Sequence, residues 1–456
     1  MSVDLATIYA DQVSLASLVH NIVYASGTVG AIMVVVGLLM IDAGTTRRKS
    51  LFNSTIEKVV GFFLGFTTYF VIGFGLWAAQ YYVMEGFTMT DSIMDWWLGG
   101  AMLNANATFI DPEIFPDLNT FQIFVFFLAC FAGIINVLFH LAISERIKAS
   151  AYYFMSIVAA VVSSLLSFYT WGSVGPLTNA GFHDFFGVGF VYIFPAAMAL
   201  AVVPMLRARP GVFGPHPKVP GYYAPSIGLG AVGLITIFAG LPMVIFSCLF
   251  FFDPGAMAVS VTMADTSVGL ALNNYAMSWA GGAVGGAIIA YATGRYAYLL
   301  LGPLAGYVAG ASGFDVYLPW QMFLVTLGAP VVAFLVYEFT LKREIDEHKL
   351  FPLFLGAGSY GLIMLGIFKA GTPRGGYFGI EEGAYAFQHG EIGITMQVVG
   401  VAACIAAGFL TGLVTALIMK FTTGLEVEEE VTVSGLDSVY WGVQTDVATH
   451  EEASRG

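Results

Sequence analysis

The chain has 456 residues, 58% of them hydrophobic and 15% aromatic, with only 10% charged and a formal net charge of -13. Soluble domains carry about 25% charged residues, so this composition, with a mean hydropathy of +0.80, excludes a soluble enzyme, a nucleic-acid binder and a disordered scaffold. It reads as an all-α integral membrane protein: lipid admits only helices or closed barrels, and the apolar runs are too long and too irregular for barrel strands.

In chain order, the segment MSVDLATIYADQ has no basic residue before the first apolar run, and is read as leading into a mature span rather than as a signal peptide. A bilayer core of about 30 Å needs roughly 20 apolar residues. Eleven spans are predicted, near 18–41, 57–82, 121–143, 150–171, 184–206, 223–252, 265–293, 296–314, 319–341, 351–371 and 394–420. The weakest separation is Thr293-Gly294-Arg295, between spans seven and eight. Lys and Arg collect in alternate connections, beginning with Arg47, Arg48, Lys49 and Lys58 between spans one and two. In all, 15 of 17 basic residues fall on one side, and the exceptions are Lys369 and Arg374. Basic loops stay cytoplasmic, which predicts an outside N-terminus and a cytoplasmic C-terminus. Eleven spans divide as five plus five plus one, and an odd repeat must run inverted, a common transporter plan. The expected organisation is a membrane domain over 1–420 and an acidic cytoplasmic tail over 421–456.

Small-residue spacings such as Gly61-x-x-x-Gly65, Gly282 to Ala287, Gly302-x-x-x-Gly306-x-x-x-Gly310 and Gly408-x-x-x-Gly412 predict close helix packing. Cys130, Cys248 and Cys404 lie in apolar runs and read as small buried hydrophobes. Polar groups at membrane depth are costly and functionally suspect; here they are His20, His140, His183, Asp184, Asp253, Asn273 and Asn274. None of them pairs at catalytic or metal-ligand spacing, and there is no phosphate-binding glycine loop and no nucleophile elbow, so neither an enzyme nor a cofactor is expected. Asp184 has two readings, a helix N-cap or part of a cation-attracting mouth. His140 and the two asparagines fit interhelical hydrogen bonds. Trp171, followed by a loop without basic residues and then Asp184, makes an aromatic and acidic setting that suits a small cation.

Four segments resemble the ammonium transporter/methylammonium permease/Rhesus family. Ser144-Glu-Arg-Ile-Lys-Ala-Ser-Ala151 is similar to its A-E-R-x-x-x-x-A stretch, and Trp171-Gly172 to its W-G. Asp184-Phe-Phe-Gly-Val-Gly-Phe-Val-Tyr192 looks like D-F-A-G-G-x-V-V-H, and Gly424-Leu-Glu-Val-Glu-Glu-Glu430 with Gly435-Leu-Asp437 resembles the family's tail. The resemblance implies an ammonium or ammonia channel, a homotrimer with one pore per subunit, residence in the cytoplasmic (inner) membrane, and a tail that meets a P-II-type signalling protein. It places Trp171, Phe131 and Asp184 at substrate recruitment and Phe252 at the pore gate, with Ala256 where the family has a site serine. Tyr192 and Phe354 fall where the family has its twin pore histidines, the latter fixed by the register of Gly361-Leu-Ile-Met-Leu-Gly-Ile-Phe368. A tyrosine hydroxyl with a pKa of about 10 is a poor proton relay and phenylalanine is none. The loss therefore leaves open a non-conducting ammonium sensor or a channel for another small neutral solute. Glu426 stands where the family's tail has arginine.

Overall fold

Long apolar runs in this chain become helices because each helix satisfies its own backbone polar groups. The structure is a computed structural model that describes residues 15–105, 118–172, 174–213, 226–253, 258–261, 266–372 and 390–443. The side chains of 15–20, 120 and 249–265 lie outside that description, and with them those of His20, Phe252 and Asp253; Ala256 and Arg374 lie outside it altogether.

The long helices are α1 (Leu15–Thr45), α2 (Arg48–Met84), α3 (Leu118–Ile143), α4 (Ala149–Thr170), α5 (Gly189–Met205) and α6 (Ile227–Leu249). A short antiparallel hairpin, β1 (Phe250–Asp253) and β2 (Ala258–Val261), follows with Phe252 opposite Val259. Then come α7 (Val268–Thr293), α8 (Tyr298–Gly310), α9 (Pro319–Lys342), α10 (Phe351–Phe368) and α11 (Ile394–Phe421). Among the described residues, eight of these helices are long and apolar enough to cross a membrane, the others being α5, α7 and α8. Among the described residues the regular structure is thus helical apart from one hairpin.

Two expectations need correction. The sixth span was placed at 223–252, but its helix stops at Leu249 and the chain turns into a strand. The aromatic run Phe250-Phe251-Phe252 suits a strand, and Pro254 disfavours a helical residue before it. Lys58, placed in the first connection, is instead fully buried inside α2, which begins well before residue 57. The predicted break at 293–295 is present: Gly294 closes α7 in the left-handed region at φ 74, where glycine costs least.

α1 packs along α6 and α3, α7 along α8 and α9, and α5 along α11. The glycine spacings lie at these seams. A Cβ on Gly282 or Gly302 would collide with the backbone of the facing helix, as would one on Gly408 or Gly412, so these residues let backbones touch. Three helices carry π-helical turns, at Tyr69–Gly73 in α2, Gly189–Ile193 in α5 and Phe351–Gly358 in α10. Such turns often mark functional sites.

Beyond α11 the chain folds back on one end of the bundle, here called the tail face. Lys148 N–H donates to Leu425 O at 3.0 Å and Val427 N–H to Arg146 O at 2.8 Å. Two short helices, Glu429–Ser434 and Leu436–Trp441, follow. Asp437 accepts the backbone N–H groups of Phe52 and Asn53 at 2.9 and 2.8 Å. It thereby caps α2, whose own first residues offer no side-chain cap.

Candidate functional site

The end of α4 away from the tail carries Trp171. Its indole N–H donates to Phe185 O at 3.1 Å, while its carbonyl accepts from Trp77 Nε1 at 3.1 Å and Gln80 Nε2 at 3.4 Å. Gly172 follows at φ 122, with the Gln80 amide where a Cβ would stand. The Trp171 ring is 5.8 Å from the rings of both Trp77 and Phe190. Phe131 on α3 lines the same small cavity as Trp171, together with Tyr69, Ser163, Ser164 and Ser167. Each serine hydroxyl donates to an α4 carbonyl, to Ala160 O from Ser163 and Ser164 and to Ser164 O from Ser167. Their protons are committed, so each oxygen keeps lone pairs that can accept from a guest. Aromatic faces plus hydroxyl acceptors suit a small N–H cation.

Asp184 does not reach into this cavity's wall. Its two oxygens accept Val188 N–H at 2.9 Å and Gly189 N–H at 2.7 Å, so it caps and orients α5. Beside it, His183 Nε2 lies 3.1 Å from Asp315 Oδ1, and the Gln397 amide ties the His183 backbone to α11. Phe252 sits on β1, and its side chain lies outside the described residues.

At mid-bundle the π-turns of α5 and α10 bring Tyr192 and Phe354 face to face, ring centroids 5.2 Å apart and planes 15° off parallel. The Tyr192 hydroxyl is 2.6 Å from that of Tyr307 on α8, and Tyr307 stacks on Trp279 of α7 at 5.5 Å. Toward the tail face the stack roofs a second cavity, walled by Val34, Leu38, Leu138 and Ile237 and ending at Lys349.

A layer of buried charge surrounds that end. Asp42 on α1 lies 2.6 Å from Lys58 and 3.1 Å from Lys349. His140 Nε2 is 2.7 Å from Glu57, the interhelical bond expected of it. Arg47 pairs with Glu145, and Arg209 with Asp346 at 2.7 Å. His348, in the connection before α10, has its pKa pushed down to about 4 by burial. Asn274 is structural: its amide donates to Phe314 O and Tyr317 O. Among the described residues no group of three or more His, Cys, Asp or Glu could hold a metal ion.

The structure thus brings Trp171 and Phe131 into one cavity and Tyr192 and Phe354 into one stack. It adds Tyr307, Trp279, the α4 serines and the Asp42–Lys58–Lys349 cluster, which were not singled out from sequence. Ser163, Ser164 and Ser167 were visible as polar residues at i, i+1 and i+4 in an apolar helix. Tyr307 had no local signal, because its partner arrives from α5.

A helical membrane bundle with aromatic-lined cavities fits a transport-type protein. The profile of the Ammonium Transporter Family matches residues 22–445, and the chain belongs to that family. Its function is accordingly ammonium or ammonia transport, and it is not an enzyme. The chain is 28% identical to ammonium transporter Amt2 of Methanocaldococcus jannaschii, over 94% of both chains. It is 25% identical to Amt2 of Archaeoglobus fulgidus, over 88% of this chain and 82% of that one. Among solved structures, a sensor Amt protein superposes with a TM-score of 0.71 at 18% identity, covering 94% of this chain and 99% of that one. Candida albicans Mep2 gives 0.68 at 18%, covering 94% and 89%.

Proposed function

We propose that ammonium is collected at the Trp171–Phe131 cavity, returns its proton to water on that side, and passes the Tyr192–Phe354 stack as neutral ammonia. The observation that carries this reading is the stack itself. Two helices with π-turns, α5 and α10, meet at Tyr192 and Phe354, the two residues that the sequence resemblance sets at the family's twin-histidine positions. The aromatic cavity lies on one side of them and the Lys349 cavity on the other. Phe252 is assigned the gate between the recruitment cavity and the stack, and Asp184 holds α5 in place.

All eleven long helices are taken to cross the bilayer as a five-plus-five inverted repeat with one further helix. The tail face is then cytoplasmic and the N-terminus outside. Membrane helices over 1–420 and a tail over 421–456 form the two parts of the chain. Assembly as a homotrimer in the cytoplasmic (inner) membrane, with a P-II-type protein as tail partner, extends the family's plan to this chain. The tight stacking of Tyr192 on Phe354 favours one second reading, a non-conducting ammonium sensor. Reconstitution in liposomes decides between them. An ammonium pulse that changes internal pH supports transport, and an unchanged lumen with intact ammonium binding supports sensing.

A further inference from the structure

The cavity beneath the Tyr192–Phe354 stack has one charged residue among those that line it, Lys349. Its ammonium donates to Thr45 Oγ1 at 2.7 Å and to Asp42 Oδ1 at 3.1 Å. Asp42 is already matched, because Lys58 Nζ lies 2.6 Å from its other oxygen. Two ammonium groups therefore share one carboxylate. The side chains of Lys58 and Asp42 are 0% and 3% exposed, whereas that of Lys349 is 18% exposed.

Of the other carboxylates nearby, Asp346 is paired with Arg209 and Arg146, and Glu347 and Glu57 are turned elsewhere. Glu347 accepts the backbone N–H groups of Lys349, Leu350 and Phe351 at 2.7–2.8 Å, and so neutralises the start of α10. Glu57 is bound by Asn53 and lies against His140. Neither Glu347, Glu57 nor Asp42 lines the cavity. A guest there meets apolar walls, two tyrosine rings and a fixed positive charge, and a like charge is repelled more strongly between apolar walls than in water.

We infer that Lys349 is a specificity determinant: its ammonium keeps the tail-face cavity positive, turns back ammonium and other small cations, and admits neutral ammonia. This rests on the reading that the cavity is part of the pathway, so the deciding experiment reads the cavity's charge without any flux. Leu353, which also lines the cavity, is changed to cysteine. Its labelling rates from the tail face are measured with an anionic and a cationic methanethiosulfonate, each corrected for the rate of the protein lacking Leu353→Cys. Relative to a free thiol, the anionic reagent is expected to be favoured by about tenfold.

Lys349→Met should abolish that preference, and Lys349→Arg, which keeps the charge, should retain it. A preference that survives Lys349→Met, or that favours the cation while Lys349 is present, overturns the inference. If Lys349→Met does not fold, the Lys349→Arg protein and the parent still give the sign of the potential. Proteoliposome flux keeps the two readings apart. No ammonium or ammonia movement in any variant removes the transport reading, while the labelling ratio continues to decide the charge of the cavity.

Discussion

Trp171 is fixed at its backbone N–H by Ser167 O, at its carbonyl and at its indole nitrogen, so replacing the ring removes a preorganised face rather than a mobile one. One cation–π contact is worth about 0.5–2 kcal/mol. Trp171→Leu should therefore weaken the apparent ammonium affinity by roughly 2- to 30-fold, read from the concentration dependence of flux or of any ammonium response. An unchanged dependence removes the recruitment site. At the stack, Tyr192→His with Phe354→His introduces two groups able to pass a proton near neutral pH. The double variant should carry more ammonium-driven current than the parent, and an equal current would show that the two positions do not handle the proton. Which residues were legible in sequence follows from how far apart partners lie. Asp184 caps N–H groups four and five residues on, and a local pattern revealed it. Asp42 finds Lys349 across 307 residues, and no local pattern could.

At the scale of elements, helix existence was written in the apolar runs and helix ends were not. α2 starts early because its cap comes from the tail: Asp437 reaches Phe52 and Asn53 across more than 380 residues. α6 ends early because an aromatic run before proline takes a strand. The same cap gives the tail a measurable part in stability. Asp437→Ala should cost about 0.5–2 kcal/mol, the usual worth of a helix cap, seen as a lower midpoint of thermal unfolding. Truncation after Thr423 should lower it further, since it also removes the Trp441 indole bond to Asn53 and the pairs of Arg207 with Glu426 and Glu429. If truncation leaves stability, oligomeric state and flux all untouched, the tail is no regulatory element. Tail docking also has a pH sense. The hydrogen bond from Lys148 holds the Glu428 carboxyl below its ordinary value. A carboxyl depressed on docking contributes above its free pKa of about 4.3, and that contribution is lost as pH falls through its docked value. Proteolysis of the tail should therefore quicken on acidification and not on mild alkalinisation.

For the whole molecule the question is where the charge of ammonium goes. Carrying an ion through an apolar constriction is expensive unless protein groups replace its water. Among the described residues, the hydroxyls of Tyr192 and Tyr307 stand at the stack, bonded to each other at 2.6 Å. Neither replaces a hydration shell, and neither passes a proton readily at neutral pH. Below the stack, a passing cation would approach Lys349. The proton is therefore expected to stay on the side of Trp171 while neutral ammonia crosses. Proteoliposomes given an ammonium gradient should show an alkaline shift inside with little or no current, whereas a relative with both histidines should show current. Methylammonium should behave like ammonium, through its neutral amine, and potassium should give neither signal. Robust current from the unmodified protein would mean that charge crosses by a route other than the Tyr192–Phe354 stack. It would also move the search for proton-handling groups to the buried Asp42, Glu57, Lys58 and His140 layer.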